Sequence, residues 1–284
     1  MLRPNSFHAR FCGSTREGQP RWIALLAVLV VVAATASAHA HDTWLQASPR
    51  LVQPDDVVHV GLFLGNHGNE HRDFKIAGKV GSLEGVKIDV VGPDGRKTDL
   101  VPDMVDLGYA PKEGFWTARF VPTTAGLHCV AHYREGIRHG AMGFKGGKAY
   151  FLASESLDSP AKPATMHEPL GHPLELVLES HPVLGCGPGK PIVVRLLLKG
   201  KPLADHVVSF IPRGATLTEG FDPNHERKTD ADGRCRYTPK EGNLVLVVAH
   251  HVDPEQKGDG YEKASYAATL ILDVPQRCPC CEGE

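Results

Sequence analysis

Imidazoles gather at a few places in this 284-residue sequence. His67 and His71 share the stretch Gly65-Asn66-His67-Gly68-Asn69-Glu70-His71. His128, His132 and His139 follow one another closely, and His250 is directly followed by His251. A further one, His41, stands just after Ala38-His39-Ala40, where small residues fit an A-x-A cleavage rule twice. Cleavage after Ala40 would start the chain at His41-Asp42-Thr43-Trp44, and cleavage after Ala38 at His39-Ala40-His41. Either product carries a free α-amine, which loses its proton at about pH 7.7 to 8.0, beside imidazole nitrogens that bind Ni(II), Co(II), Cu(II) or Zn(II) as neutral ligands. Three thiols within four residues, Cys278, Cys280 and Cys281, form a second set of soft donors that suits a metal ion or a redox role, although a disulfide to Cys129 is an equal alternative.

The remaining histidines can join such a site only by convergence. On a strand, His128, Val130 and His132 face one way and Leu127, Cys129, Ala131 and Tyr133 the other. Two histidines four residues apart on a strand are about 13 Å apart and need different partners. His250 and His251 point to opposite faces, so at most one enters a given pocket while the strand lasts. The ordinary role of any such histidine is exposure, or a hydrogen bond to a loop carbonyl. The chemical reading requires the amine and imidazole of His41 to meet His132, His250 or His251, or the loop carrying His67 and His71. No G-x-S-x-G elbow, H-E-x-x-H helix, P-loop or G-x-G-x-x-G turn is present, so the usual grounds for a hydrolase or nucleotide enzyme are missing.

The elements that would position these groups are strands. Residues 1–40 read as an export signal: Arg3, Arg10, Arg16 and Arg21 precede the apolar run Trp22 to Ala34, too short at about 13 residues for the ~20 of a membrane-spanning helix. Without them the chain has 27 basic and 32 acidic residues, a formal charge of −5, which argues against a nucleic-acid partner. Six of the seven cysteines remain after Cys12 leaves, and Cys186 with Cys235 is the first choice of disulfide in an exported chain. Short β-type runs such as VVHVGLFLG (Val57 to Gly65), PIVVRLLL (Pro191 to Leu198) and NLVLVVAHH (Asn243 to His251) alternate with turn signals. The Asp94-Gly95 and Asp232-Gly233 pairs lack the ligand spacing of a calcium loop and read as hairpin turns.

The expected fold is therefore all-β, with two tandem antiparallel β-sandwich domains of immunoglobulin-like or transthyretin-like type. An N-terminal sandwich spans 41–158, a Pro-rich linker 159–169, a second sandwich 170–275, and a Cys-rich tail 276–284.

The chain also resembles a family of exported bacterial proteins labelled periplasmic components of ABC-type cobalt or nickel uptake systems. The likeness rests on Ala40-His41-Asp42-Thr43-Trp44-Leu45, on Gly92-Pro93-Asp94-Gly95-Arg96, on Gly200-Lys201-Pro202-Leu203-Ala204 leading to Thr229-Asp230-Ala231-Asp232-Gly233-Arg234, and on Val247-Val248-Ala249-His250 with Ala264-Ser265-Tyr266-Ala267-Ala268-Thr269-Leu270. The resemblance implies two β-sandwiches, the second transthyretin-like. It also implies a periplasmic or secreted protein that handles a divalent transition metal (Ni, Co, Cu or Zn), with a membrane metal-uptake transporter as partner. The Cys-rich tail departs from the family pattern. Two other readings stand beside it. One is a non-catalytic sandwich module that binds a polysaccharide, peptide or cell-surface partner, for which exposed aromatics among Trp44, Trp116 and six tyrosines would be the sign. The other is a copper enzyme that activates oxygen at an N-terminal histidine.

Overall fold

Long apolar runs without alternation, such as Asn243–Asp253, belong to strands covered on both faces, whereas the alternating Ile192–Leu198 belongs to a strand with one wet face. The computed structural model describes residues 41–67, 72–110, 112–161 and 168–276. In chain order the strands are β1 (Asp42–Ser48), β2 (Leu51–Val52), β3 (Val58–His67), β4 (Arg72–Gly78), β5 (Val86–Val91), β6 (Lys97–Asp99), β7 (Val105–Asp106), β8 (Trp116–Phe120), β9 (Gly126–Arg138) and β10 (Ala141–Ala153). They continue as β11 (Leu174–Leu178), β12 (Ile192–Leu198), β13 (Lys201–Pro202), β14 (Val207–Pro212), β15 (Glu226–Lys228), β16 (Arg234–Tyr237), β17 (Asn243–Asp253) and β18 (Lys263–Val274). The fold is all-β; among the described residues the one helical element is a 3-10 turn over Val101–Asp103.

Three layers result. A nine-stranded sheet runs in the order β15-β14-β17-β18-β10-β9-β5-β6, with β2 added to β10. One face is covered by the four-stranded sheet of β11, β12, β13 and β16, and the other by the five-stranded sheet β1-β3-β8-β7 with β4 on β3. The first interface holds the largest core, in which Leu127, Cys129, Tyr150 and Leu152 pack with Leu176, Ile192, Phe210, Val247 and Leu270. The second holds Leu45, Val60 and Leu62 against Ile88, Val130 and Phe151, and next to them Trp44 and Phe63 against Ile211, Leu246, Val248 and Ile271. The strongly apolar β17 therefore serves two cores at once, Val247 on one face and Val248 on the other.

Strands from both halves of the sequence share the central sheet. The joint is parallel, β10 on β18 from Ala141↔Lys263 to Lys148↔Leu270, while the pairings on either side of it are antiparallel. The expected linker, 159–169, lies partly outside the described residues. The hairpin between β9 and β10 turns at His139 and Gly140, with φ of 50° and 71°, the pair of left-handed residues that a two-residue type I′ loop demands.

One buried ion pair ties the layers. Lys148 on β10 donates to Glu175 on β11, both nearly inaccessible. The same carboxylate accepts the backbone N–H groups of Leu170, Gly171 and His172 at 2.6, 2.9 and 3.1 Å. Its pKa is lowered despite a desolvation cost, by the Lys148 charge and these donors. Removing one member of a buried pair strands the other charge. Lys148→Met is expected to destabilise the protein by about 3–5 kcal/mol in denaturant titration.

Candidate functional site

β1 is an edge strand of its sheet, pairing on one side with β3 from Asp42↔Gly65 to Ser48↔His59. Its other edge faces the central sheet, and side chains of that sheet satisfy it. The Thr43 carbonyl accepts from Thr269 Oγ1 at 2.8 Å and from His132 Nε2 at 3.3 Å, and the His41 carbonyl accepts from Lys145 Nζ. The fit needs glycine beneath it, since a Cβ on Gly147 would lie 2.5 Å from Thr269 Oγ1 and 2.6 Å from His132 Nε2. Asp42, 1% exposed, receives His250 Nε2–H at 2.9 and 3.0 Å. Behind His250, His206 Nε2–H donates to the His250 carbonyl at 2.6 Å. The start of β1 is thus the centre of a polar cluster drawn from β9, β10, β17 and β18.

The histidines meet there in part. His41 is exposed at the head of the cluster. His132 is buried, and its burial lowers its pKa to about 4, so it is a neutral imidazole that donates through Nε2. His250 reaches the same strand from the far half of the chain. His251 points to the opposite face, with ring centroids 5.4 Å from His206 and 5.8 Å from Tyr266. His67 closes β3, its backbone paired with Arg72. His71 and the thiols Cys278, Cys280 and Cys281 lie outside the described residues, as does the proposed signal, 1–40. Cys186 and Cys235, expected as a disulfide, are free buried thiols of the largest core. The Cys186 thiol turns to its own loop, 3.8 Å from the His181 carbonyl, and burial pushes the two groups up to about 11 and about 12. Thiols so protonated at neutral pH are not nucleophiles.

As a metal site the cluster lacks donors. Among the described residues no group of three or more His, Cys, Asp or Glu side chains is placed to hold an ion. His132 and His250 are the two that converge on β1, and their Nε2 atoms are directed at a backbone carbonyl and a carboxylate. Their observed role is to anchor a strand. Asp42, Lys145, Thr269 and His206 were not singled out by sequence reasoning; a carboxylate opening an otherwise apolar strand, Asp42-Thr43-Trp44-Leu45, was the available signal for the first. A cavity of about 170 Å³, lined in part by Gln46, Ser48, Arg50, Tyr150 and Asp273, opens at the other end of β1, away from these histidines.

A family model described as a domain of unknown function, DUF4198, matches residues 38–253. No curated protein matches the chain. Solved structures that align with it include the Yersinia pseudotuberculosis adhesin InvE, at 14% identity over 82% of this chain and 59% of that one with a TM-score of 0.22. The Escherichia coli adhesin FdeC aligns at 12% identity over 84% of this chain and 66% of that one, with a TM-score of 0.24. The chain therefore spans less than two thirds of either adhesin, and at these TM-scores nothing is carried over from them.

The neutral His132 sets a pH dependence. Its ordinary value near 6.5 applies to the unfolded chain and about 4 to the folded one, so below pH 6.5 the unfolded state binds the extra proton. Its contribution is complete above pH 6.5 and is lost as the pH falls towards 4, by on the order of 3 kcal/mol. The unfolding midpoint of the protein is expected to drop across that interval, and His132→Asn to flatten the drop while lowering stability at neutral pH; thermal melts at stepped pH measure both.

Proposed function

The chain belongs to the DUF4198 family, a domain of unknown function, and on that premise we propose that it is an exported, non-catalytic β-sandwich module that binds a polysaccharide or other cell-surface partner beside the start of β1. The observation that carries this reading is the use of the polar cluster. Lys145, His132, Thr269 and His250 are committed to the backbone and carboxylate of β1, which makes that end of the molecule a rigid platform. Site residues on rigid strand ends are suited to recognition, whereas nucleophilic catalysis needs an activated hydroxyl or thiol. The Thr269 hydroxyl is engaged by Thr43, and the described cysteines are buried and protonated.

Beside the start of β1 the mode of binding we propose is not aromatic stacking. Trp44 is buried, Trp116 is half-buried with Nε1 donating to the Val80 carbonyl at 2.6 Å, Tyr150, Tyr237 and Tyr266 lie inside, and Tyr109, 77% exposed, stands between β7 and β8 rather than on β1 or the central sheet. Recognition then rests on charge and hydrogen bonds.

Divalent metal carriage for a membrane transporter is the second reading, and one observation favours it: processing after Ala40 would leave the amine and imidazole of His41 next to Asp42 and its partner His250. One pair of titrations separates the two. The protein beginning at His41 is expected to bind at least one envelope polysaccharide with micromolar affinity and to leave it chemically intact. In calorimetry with Ni(II), Co(II), Cu(II) and Zn(II), it is expected to show no one-to-one binding that His41→Ala removes. Metal binding lost both in His41→Ala and in a form with one residue added before His41 would reverse the assignment.

A further inference from the structure

The central sheet continues past the point where β1 begins, and its register lays out what the uncovered face carries. Residues directly opposite one another in paired strands share a face. Arg134, Lys145, Ala267 and His250 form one such row, on the face where Lys145 and His250 meet β1. The next row on that face is Gly136, Gly143, Ser265 and Val252, and the one beyond it Arg138, Ala141 and Lys263. Gly136, Arg138 and Val252 are exposed, and the rest of these two outer rows is half-buried. Nothing lies within 4 Å of a Cβ built on Gly136, so the glycine floor is open. The result is a shallow terrace with a floor of small residues between two cationic rows.

The charges are not balanced by neighbours. Among the described residues, Arg134, Arg138 and Lys263 have no ion-pair or hydrogen-bond partner for their side chains. The Arg134 pKa is lowered by burial and then by the charge of Arg138, and that of Lys145 by burial and by both arginines, against the opposing pull of Asp42. Of the nearby carboxylates, Asp42 receives His250, Glu135 lies on the opposite face and accepts from the Tyr133 hydroxyl at 2.5 Å, and Glu262 is exposed beside Lys263. Cations held this close together without acidic partners have a use when an anion comes from outside.

We propose that this terrace binds an acidic polysaccharide, with carboxylates on Arg134, Arg138 and Lys263 and sugar rings laid on the Gly136, Gly143 and Ser265 floor. The inference rests on the polymer-binding reading above. A single small anion is held weakly on so open a surface, where each exposed pair contributes about 0–1 kcal/mol. A polymer with repeated carboxylates engages several cations together, and each contact raises the effective concentration for the next. The terrace has no exposed aromatic ring on which unpaired bases would stack, which with the acidic balance of the chain disfavours nucleic acid. Val252 is its one large apolar side chain, too little to anchor a lipid surface.

The test uses the protein beginning at His41 and polygalacturonate immobilised on a biosensor, with dextran, phosphatidylglycerol vesicles and a single-stranded oligonucleotide as comparisons. Binding to polygalacturonate that salt weakens, and that Arg138→Glu with Lys263→Glu reduces by at least about tenfold, is the expected result. Arg138→Gln with Lys263→Gln serves as the milder pair should the charge reversals disturb folding. Unchanged binding in the variants, or tighter binding to the vesicles or the oligonucleotide, overturns the proposal. Binding to dextran but not to polygalacturonate sinks this inference and leaves the module reading standing, while failure of both polysaccharides sinks this inference and the polysaccharide form of the module reading.

Discussion

An edge strand laid against the face of another sheet must find partners for the carbonyls that its own sheet leaves open, and this structure depends on how β1 does so. A buried carbonyl or amide without a partner costs about 1–3 kcal/mol. The Thr43 carbonyl avoids that cost by accepting from Thr269 and His132, and the His41 carbonyl, at the exposed head of the strand, accepts from Lys145. The arrangement also blunts an edge that would otherwise offer itself to another chain. It constrains residues well beyond β1: Gly147 has to lack a Cβ, and His132 has to be neutral to sit dry beneath the strand.

The central sheet meets comparable demands on its other face. There Lys148 and Glu175 share a buried ion pair whose carboxylate also caps three backbone amides, so the turn leading into β11 and the strand β10 are held by one group. Next to it, a Cβ on Gly146 would come within 2.7 Å of His172 Nδ1. Adjacent glycines on β10 thus let polar groups approach from opposite faces, which is why the stretch Lys145-Gly146-Gly147-Lys148 is both small and charged. Two lysines three residues apart point to opposite layers, one closing the edge of β1 and the other fastening β11.

This division of labour bears on function. Two of the polar side chains that sequence inspection would offer to a cofactor, His132 and His250, are engaged in holding layers together. What remains uncommitted is the open end of the central sheet, where cations outnumber acids and the backbone floor is bare. Histidine richness and chemical use are therefore different things in this chain: His132 and His250 hold the first strand, His128 stacks on Phe151 at 4.6 Å, and His41 alone of this group stands in solvent.

The sequence by itself determined the all-β class, the hairpin turns at Asp94-Gly95 and Asp232-Gly233, whose glycines have φ of 78° and 74°, and the opposite facing of His250 and His251. All of these follow from rules that act over a few residues: side chains alternate along a strand, and glycine alone enters a left-handed turn without strain. The tertiary structure decided the parallel joint of β10 with β18, the contact of Asp42 with His250 across 208 residues, and the free state of Cys186 and Cys235. An apolar, alternating strand states what it needs on each face but not which strand will supply it. That choice is made by the packing of three layers, where the fit of side chains over Gly146 and Gly147 selects one register among many.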